Sequence, residues 1–129
     1  MSENREYVSR SDELGNIHIS GEVLASIAAA AALEVEGVSG LSANLGSDIA
    51  ELLSNKKNLT KGVHIQVQDE QVTVELAVLM SYGHTIPEVG RAVQDAVKSS
   101  VESMTGLTVA AVNVGVGGIT LEKKEQQTG

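Results

Sequence analysis

The sequence predicts an α/β (α+β) two-layer sandwich: a small mixed sheet with two main helices on one face, plus a short extra helix. Three observations predict it. Val72, Val74, Leu76, Val78 and Met80 alternate with Thr73, Glu75, Ala77, Leu79 and Ser81, the period of two of a strand with one buried face. Val89, Val93, Ala96, Val97, Ser100 and Met104 recur at helical spacing, with Glu88, Arg91, Asp95, Lys98 and Glu102 off that stripe. A further valine-rich strand follows, so the chain ends on a strand-helix-strand unit, for which a right-handed crossover is strongly preferred.

Taken in order, residues 1–14 are polar, mixed in charge and without periodicity, and are expected to be a flexible tail. The domain is expected over 15–121. Ile17 and Ile19 alternate with Asn16 and His18 as a short strand. Ser20 caps a helix beginning at Gly21, with Glu22 near its positive end. Val23, Ile27, Ala31 and Val35 form its stripe, alanines fill positions 28–32, and Gly37 is expected to end it. Small side chains of this kind permit close approach of a sheet or a second helix. Residues 38–43 read as a short strand. Ser47 is placed to cap a brief helix with Leu45, Ile49, Leu52 and Leu53 on one side. Residues 54–62 form a polar loop carrying Lys56, Lys57 and Lys61.

Val63, Ile65 and Val67 alternate with His64, Gln66 and Gln68, and Asp69-Glu70 turns this strand into the one at Val72, an antiparallel hairpin. Ala77 and Leu79 make the second half of that strand apolar on both faces, which marks a central strand. Gly83 allows a sharp turn. Thr85 and Glu88 have capping-box spacing, and Pro87 falls in the first helical turn, where its missing donor costs nothing. Gly106 is placed as a left-handed C-cap. Residues 109–116 form the last strand, with Ala110, Val112, Val114 and Val116 expected to face one way, and Ile119 and Leu121 extending it. Residues 122–129 are expected to be a second flexible tail.

Composition excludes several functions. The 129 residues suit one domain with a real core. With no Phe, no Trp and two Tyr, that core is aliphatic. A net charge of -8 repels phosphate backbones and anionic lipid, and no aromatic platform exists for stacking bases. No Cys means no disulfide, thiolate metal site or cysteine nucleophile, which fits a reducing cytoplasm. The first residues are polar, so no signal peptide is expected. No apolar run approaches the ~20 residues that span a bilayer, so work at a membrane would need a partner that holds the chain there.

No catalytic constellation is legible. His18, His64 and His84 lie at outward strand positions or in a turn, with no second ligand at metal spacing. His84 stands at a helix entry, where amides can hold an anion, but the capping box satisfies that entry more simply. The run Gly115-Val116-Gly117-Gly118 leads into Ile119-Thr120-Leu121 rather than a helix, so it is no phosphate loop. No Gly-x-Ser-x-Gly elbow is present. The acidic pairs Asp12-Glu13 and Asp69-Glu70 lie in a tail and a turn, where solvation is their ordinary role.

Four stretches resemble a known family. Gly15-Asn16-Ile17-His18-Ile19-Ser20-Gly21-Glu22-Val23 and Glu34-Val35-Glu36-Gly37-Val38 look like the opening of the alkaline shock protein family, the Gls-type general or envelope stress response proteins of Gram-positive bacteria. Ser81-Tyr82-Gly83-His84-Thr85-Ile86-Pro87-Glu88-Val89 and the ending Val112-Asn113-Val114 to Gly118-Ile119 resemble the rest of its pattern. The resemblance covers residues 15–121, with 39–62 matching least. It implies a non-enzymatic cytoplasmic protein without a cofactor, held near the cell membrane by a membrane-anchored partner or self-associating, and needed for an intact envelope. Two alternatives stay open: a regulatory protein that binds a metabolic enzyme, such as one of lipid synthesis, and a small nucleic-acid module, which charge and composition disfavour.

Partner binding is expected on the sheet face away from the helices. Gln66, Glu75, Leu79 and Asn113 would share that face, together with His64, Gln68, Thr73 and Ala77. A flat, largely uncharged surface suits protein contact better than a small substrate. The competing surface is the short helix, through Ile49 and Leu52.

Overall fold

A computed structural model describes residues 7–12, 14–42 and 62–121. Its elements are β1 (Tyr7–Asp12), β2 (Gly15–Ser20), α1 (Gly21–Leu33), β3 (Val38–Leu41), β4 (Val63–Gln68), β5 (Gln71–Ser81), α2 (Ile86–Thr105) and β6 (Thr108–Thr120). The fold is α+β, as expected. The short helix expected around Ile49 and Leu52, and residues 122–129, lie outside the described residues. β1 falls within the stretch expected as a tail; it pairs antiparallel with β2, from Tyr7 opposite Ser20 to Asp12 opposite Gly15.

β5 is central, as its two apolar faces foretold. β6 runs parallel to it from Gln71–Thr108 to Ser81–Thr120, occupying one edge throughout. β4 pairs antiparallel with its first half, Val63 to Gln68 against Leu76 to Gln71. β3 pairs antiparallel with the second half, from Val38–Met80 to Leu41–Val78. A strand has two edges, so β3 and β4 stand end to end on the one that β6 leaves. Ala77 joins them: its amide donates to the Gly62 carbonyl and its carbonyl accepts from the Ser42 amide, both at 2.9 Å.

The helices cover the face bearing Val72, Val74, Leu76, Val78 and Met80, all buried. α2 contributes Val89, Val93, Val97 and Val101 to this core. Ala96 is only partly buried, and Met104, expected on the stripe, is 69% exposed. Four-residue spacing carries the stripe to Val101, so Met104 falls beside it.

α1 is phased differently from the expectation. Val23 is 47% exposed, while Leu24, Ala25, Ala28, Ala29, Ala31 and Ala32 are buried. Ile27 and Val35 pack only at the core's margin. α1 is apolar nearly all round, so hydrophobicity does not mark its inner side; the alanines turn inward because they let the backbone approach the sheet. The helix ends at Leu33, capped by Glu34, not at Gly37. Gly37 serves instead in the turn to β3, at φ +102°, where a Cβ would meet Val89 Cγ2 at 2.8 Å.

β6 also departs from the expected phase. Val109 and Val112 are buried and Ala110 is exposed, because Val72 pairs with Val109 and Thr73 with Ala111. The bulge at Ala110 shifts the alternation by one. A second irregularity, between Val78–Val116 and Leu79–Gly118, sets Gly117 apart.

The helix ends differ in chemistry. Ser20 Oγ accepts from the Val23 amide at 3.2 Å, so α1 is side-chain capped. Thr85 occupies the N-cap of α2, with Pro87 and Glu88 in its first turn, but its hydroxyl makes no cap bond, and the expected capping box is not formed. The Val89 amide reaches the Thr85 carbonyl at 3.0 Å, the first helical bond. Gly106 is left-handed at φ 78° and its amide donates to the Glu102 carbonyl, as expected. Ser20→Ala should therefore cost about 1 kcal/mol, and Thr85→Ala well under that. Urea titration of both variants checks this; equal losses would mean that Thr85 caps α2 after all.

Candidate functional site

Pleating sends Thr73, Glu75, Ala77 and Leu79 to the face opposite the helices. The register carries that face across neighbouring strands. His64 stands opposite Glu75, and Gln66 opposite Thr73. Glu75 stands in turn beside Asn113. Three of the expected residues, Gln66, Glu75 and Asn113, thus come together, with His64, Gln66 and Asn113 exposed and Glu75 half-buried. An open groove of about 310 Å³ runs between β5 and β6, lined by Glu75, Ala77, Asn113, Gly115 and Gly117 among others. Its walls are mainly backbone and small apolar groups, with one carboxylate and one amide.

Leu79, the fourth expected residue, lies further along and is half-buried. Its side chain rests on glycines from both neighbouring strands: a Cβ at Gly40 would lie 3.8 Å from it, and one at Gly118 only 3.1 Å. The face closes beside it. Ala77 is 4% exposed and Ser42 is buried, with Ser42 Oγ lying 2.6 Å from where a Cβ of Gly117 would stand. The glycine run of β6 lies within the strand and leads into no helix, so it is no phosphate loop. Its actual role is steric: no side chain at 115, 117 or 118 rises from the sheet, and Ser42 and Leu79 lie down on it. A cluster of three glycines in a long strand is the signal that marks such a close approach.

The other expected residues are structural or undescribed. Gly83 turns at φ 102°. Thr85, Pro87, Glu88 and Gly106 belong to the ends of α2, as described above. Ile49 and Leu52 lie outside the described residues. His84 Nδ1 lies 3.4 Å from the Ser81 carbonyl, and its ring packs beside Gly37. Among the described residues, no group of three or more His, Asp or Glu side chains is placed to hold a metal ion. No helix among them is long and apolar enough to cross a membrane.

One carboxylate that the sequence did not single out is tied to β6. Glu102 Oε2 accepts from the Val109 amide at 2.9 Å and from Lys98 Nζ at 3.0 Å. The backbone bond, and then Lys98, hold its carboxyl below the usual range. A depressed folded-state pKa means that its stabilising effect is present above the unfolded-state pKa and lost as pH falls through the folded value. Glu102→Gln should thus lower the thermal midpoint at neutral pH, with the gap to the parent closing on acidification. A gap that stays constant across the acid range would show that the carboxylate charge plays no part.

Comparison with known proteins agrees on family. Residues 9–121 match the family model for alkaline shock proteins of the Gls24 type, described as having a cell envelope-related function. YqhY of Bacillus subtilis (strain 168) is 32% identical over 114 residues, covering 88% of this chain and 84% of that protein. YloU of the same organism is 36% identical over 107 residues, covering 81% and 88%. A stress response regulator gls24 homolog of Streptococcus pyogenes serotype M3 (strain ATCC BAA-595 / MGAS315) is 28% identical over 112 residues, covering 87% of this chain and 62% of that protein. Among solved structures, a form of the MamM CTD superposes with a TM-score of 0.48 at 12% identity, over 76% of this chain and 94% of that chain.

Proposed function

The chain belongs to the alkaline shock protein family, of cell envelope-related function, and from that premise we propose that it is a non-enzymatic scaffold of the envelope stress response. It works in the cytoplasm, beside the cell membrane, by binding protein partners and by self-association. The observation that supports this most is the outer sheet face: His64, Glu75 and Asn113 stand in a row across β4, β5 and β6, Gln66 lies diagonally from Glu75, and Glu75 and Asn113 line a shallow groove walled by backbone. Such a surface offers hydrogen bonds and shape to a protein chain. It lacks the enclosed, convergent polar pocket that substrates require. The acidic charge, -8 overall, argues against direct attachment to anionic lipid, so a membrane-anchored protein is the partner expected to hold the chain there.

A tagged copy recovered from its own cells, beside a Gln66→Glu/Asn113→Asp variant of equal thermal midpoint, tests the reading. Envelope proteins should accompany the parent and be depleted from the variant. Recovery of a single soluble enzyme in fixed proportion, with that enzyme's rate altered, would replace scaffold by regulatory subunit. Unaided cosedimentation with anionic liposomes would remove the need for an anchoring partner.

A further inference from the structure

We propose that two copies of this chain associate through the outer edge of β6, forming an antiparallel β6–β6 pair about a two-fold axis near Val114. This deepens the scaffold reading and rests on it for self-association. β5 occupies one edge of β6, and among the described residues no strand occupies the other. Two main-chain groups identify that outer edge: the Val109 amide goes to Glu102, and the Val112 carbonyl accepts from Gln94 Nε2 at 3.0 Å. No bulge interrupts β6 between Ala111 and Val116. Strand alternation therefore turns the amides and carbonyls of Val114 and Val116 outward beside those of Val112.

Past the contacts of Glu102 and Gln94 at Val109 and Val112, this edge lacks common safeguards. Natural edge strands are blunted by charged side chains, proline or short length. β6 runs 13 residues, Thr108–Thr120, without a charged residue or a proline. Its bulges leave a regular stretch from Ala111 to Val116, with Val114 at the middle of the strand. The carbonyl of Val112 keeps a second lone pair beyond its bond to Gln94.

A second copy fits this edge. Each copy carries a net charge of -8, so approach along charged surfaces is repulsive; the strand itself has no charge to repel. A two-fold at Val114 sets Val114 against its counterpart and Val112 against Val116 of the other copy. This covers Val116, which is 37% exposed. The helix above the edge carries Glu88, Arg91, Asp95, Lys98 and Glu102 at three- and four-residue spacing, signs alternating along one stripe. A two-fold that passes between Arg91 and Asp95 sets Arg91 against Asp95 and Glu88 against Lys98 of the other copy. The pairing leaves the outer sheet faces uncovered and joins them into one wider partner-binding surface.

Light scattering of the full chain across a wide range of concentrations tests the proposal. The mass should double as concentration rises. Val116→Lys should abolish the doubling at an unchanged thermal midpoint, while Leu33→Lys, on the exposed side of α1, should keep it. Hydrogen exchange on the unaltered chain supplies a readout free of folding defects: the Val114 and Val116 amides should become protected as concentration rises. A monomer at every concentration overturns the proposal and self-association with it. A dimer that survives Val116→Lys, or leaves those amides unprotected, overturns the β6 edge alone. Either result leaves partner capture by the outer face standing.

Discussion

Gly62→Ala should destabilise the fold by about 3 kcal/mol or more, from backbone strain and overpacking acting together. Gly62 stands at φ +90°, where an L side chain is strained whatever the space. A Cβ there would also press into the Ser42 carbonyl oxygen and lie 3.3 Å from that of Ala77. Neither oxygen can give way easily. The Ser42 amide and the Gly62 carbonyl both bond Ala77, which holds β3 and β4 end to end on β5. Two other glycines separate the contributions. Gly83 has φ +102° but nothing within 4 Å of its would-be Cβ, so Gly83→Ala should cost only the strain, about 1–2 kcal/mol. Gly90 lies in α2 with equally open space, and Gly90→Ala should stabilise by about 0.5–1 kcal/mol. Chemical denaturation of the three variants gives the ranking. If Gly62→Ala is no worse than Gly83→Ala, the flanks of residues 43–61 do not converge on Ala77.

Legibility followed the contrast between neighbouring side chains. β4, β5 and α2 mix apolar and polar residues sharply, so period alone located their inner faces, from Val72 to Met80 and from Val89 to Val97. α1 mixes almost none: with Leu24 and Val23 equally apolar, its burial is decided by which side accommodates the alanines, a property of the sheet opposite. In β6 the bulge at Ala110 broke the period, and nothing in a run of valines and alanines announces a bulge. The capping box failed for a related reason. Thr85 and Glu88 have the required spacing, but spacing does not fix the rotamer of the hydroxyl. The outer face was readable as a set of residues, because strand alternation and one register suffice to bring Gln66, Glu75 and Asn113 together. Its closed end was not, since the approach of Ser42 to Gly117 depends on how β3 leaves the sheet.

Leu76→Ala should cost about 2–5 kcal/mol, while Leu79→Ala, three positions along the same strand, should cost about 1 kcal/mol. Leu76 is 1% exposed and packed in the core with Val74, Val78, Val93 and Val97, so its truncation leaves a cavity that rigid β-branched neighbours cannot fill. Leu79 lies on the other face, half-buried, on a floor of glycine. Truncating it uncovers backbone but opens no internal void. The difference separates the two layers of the molecule energetically, and it decides how the outer face can be probed. If Leu79→Ala is mild, Leu79→Glu combined with Gln66→Glu places two carboxylates on that face without unfolding the chain. Loss of partner recovery from that variant then reports on docking. Should Leu79→Ala instead approach Leu76→Ala in urea titration, Leu79 is sealed into a second small core with Ala77 and Ser42. The surface free for partners would then shrink to His64, Gln66, Glu75 and Asn113.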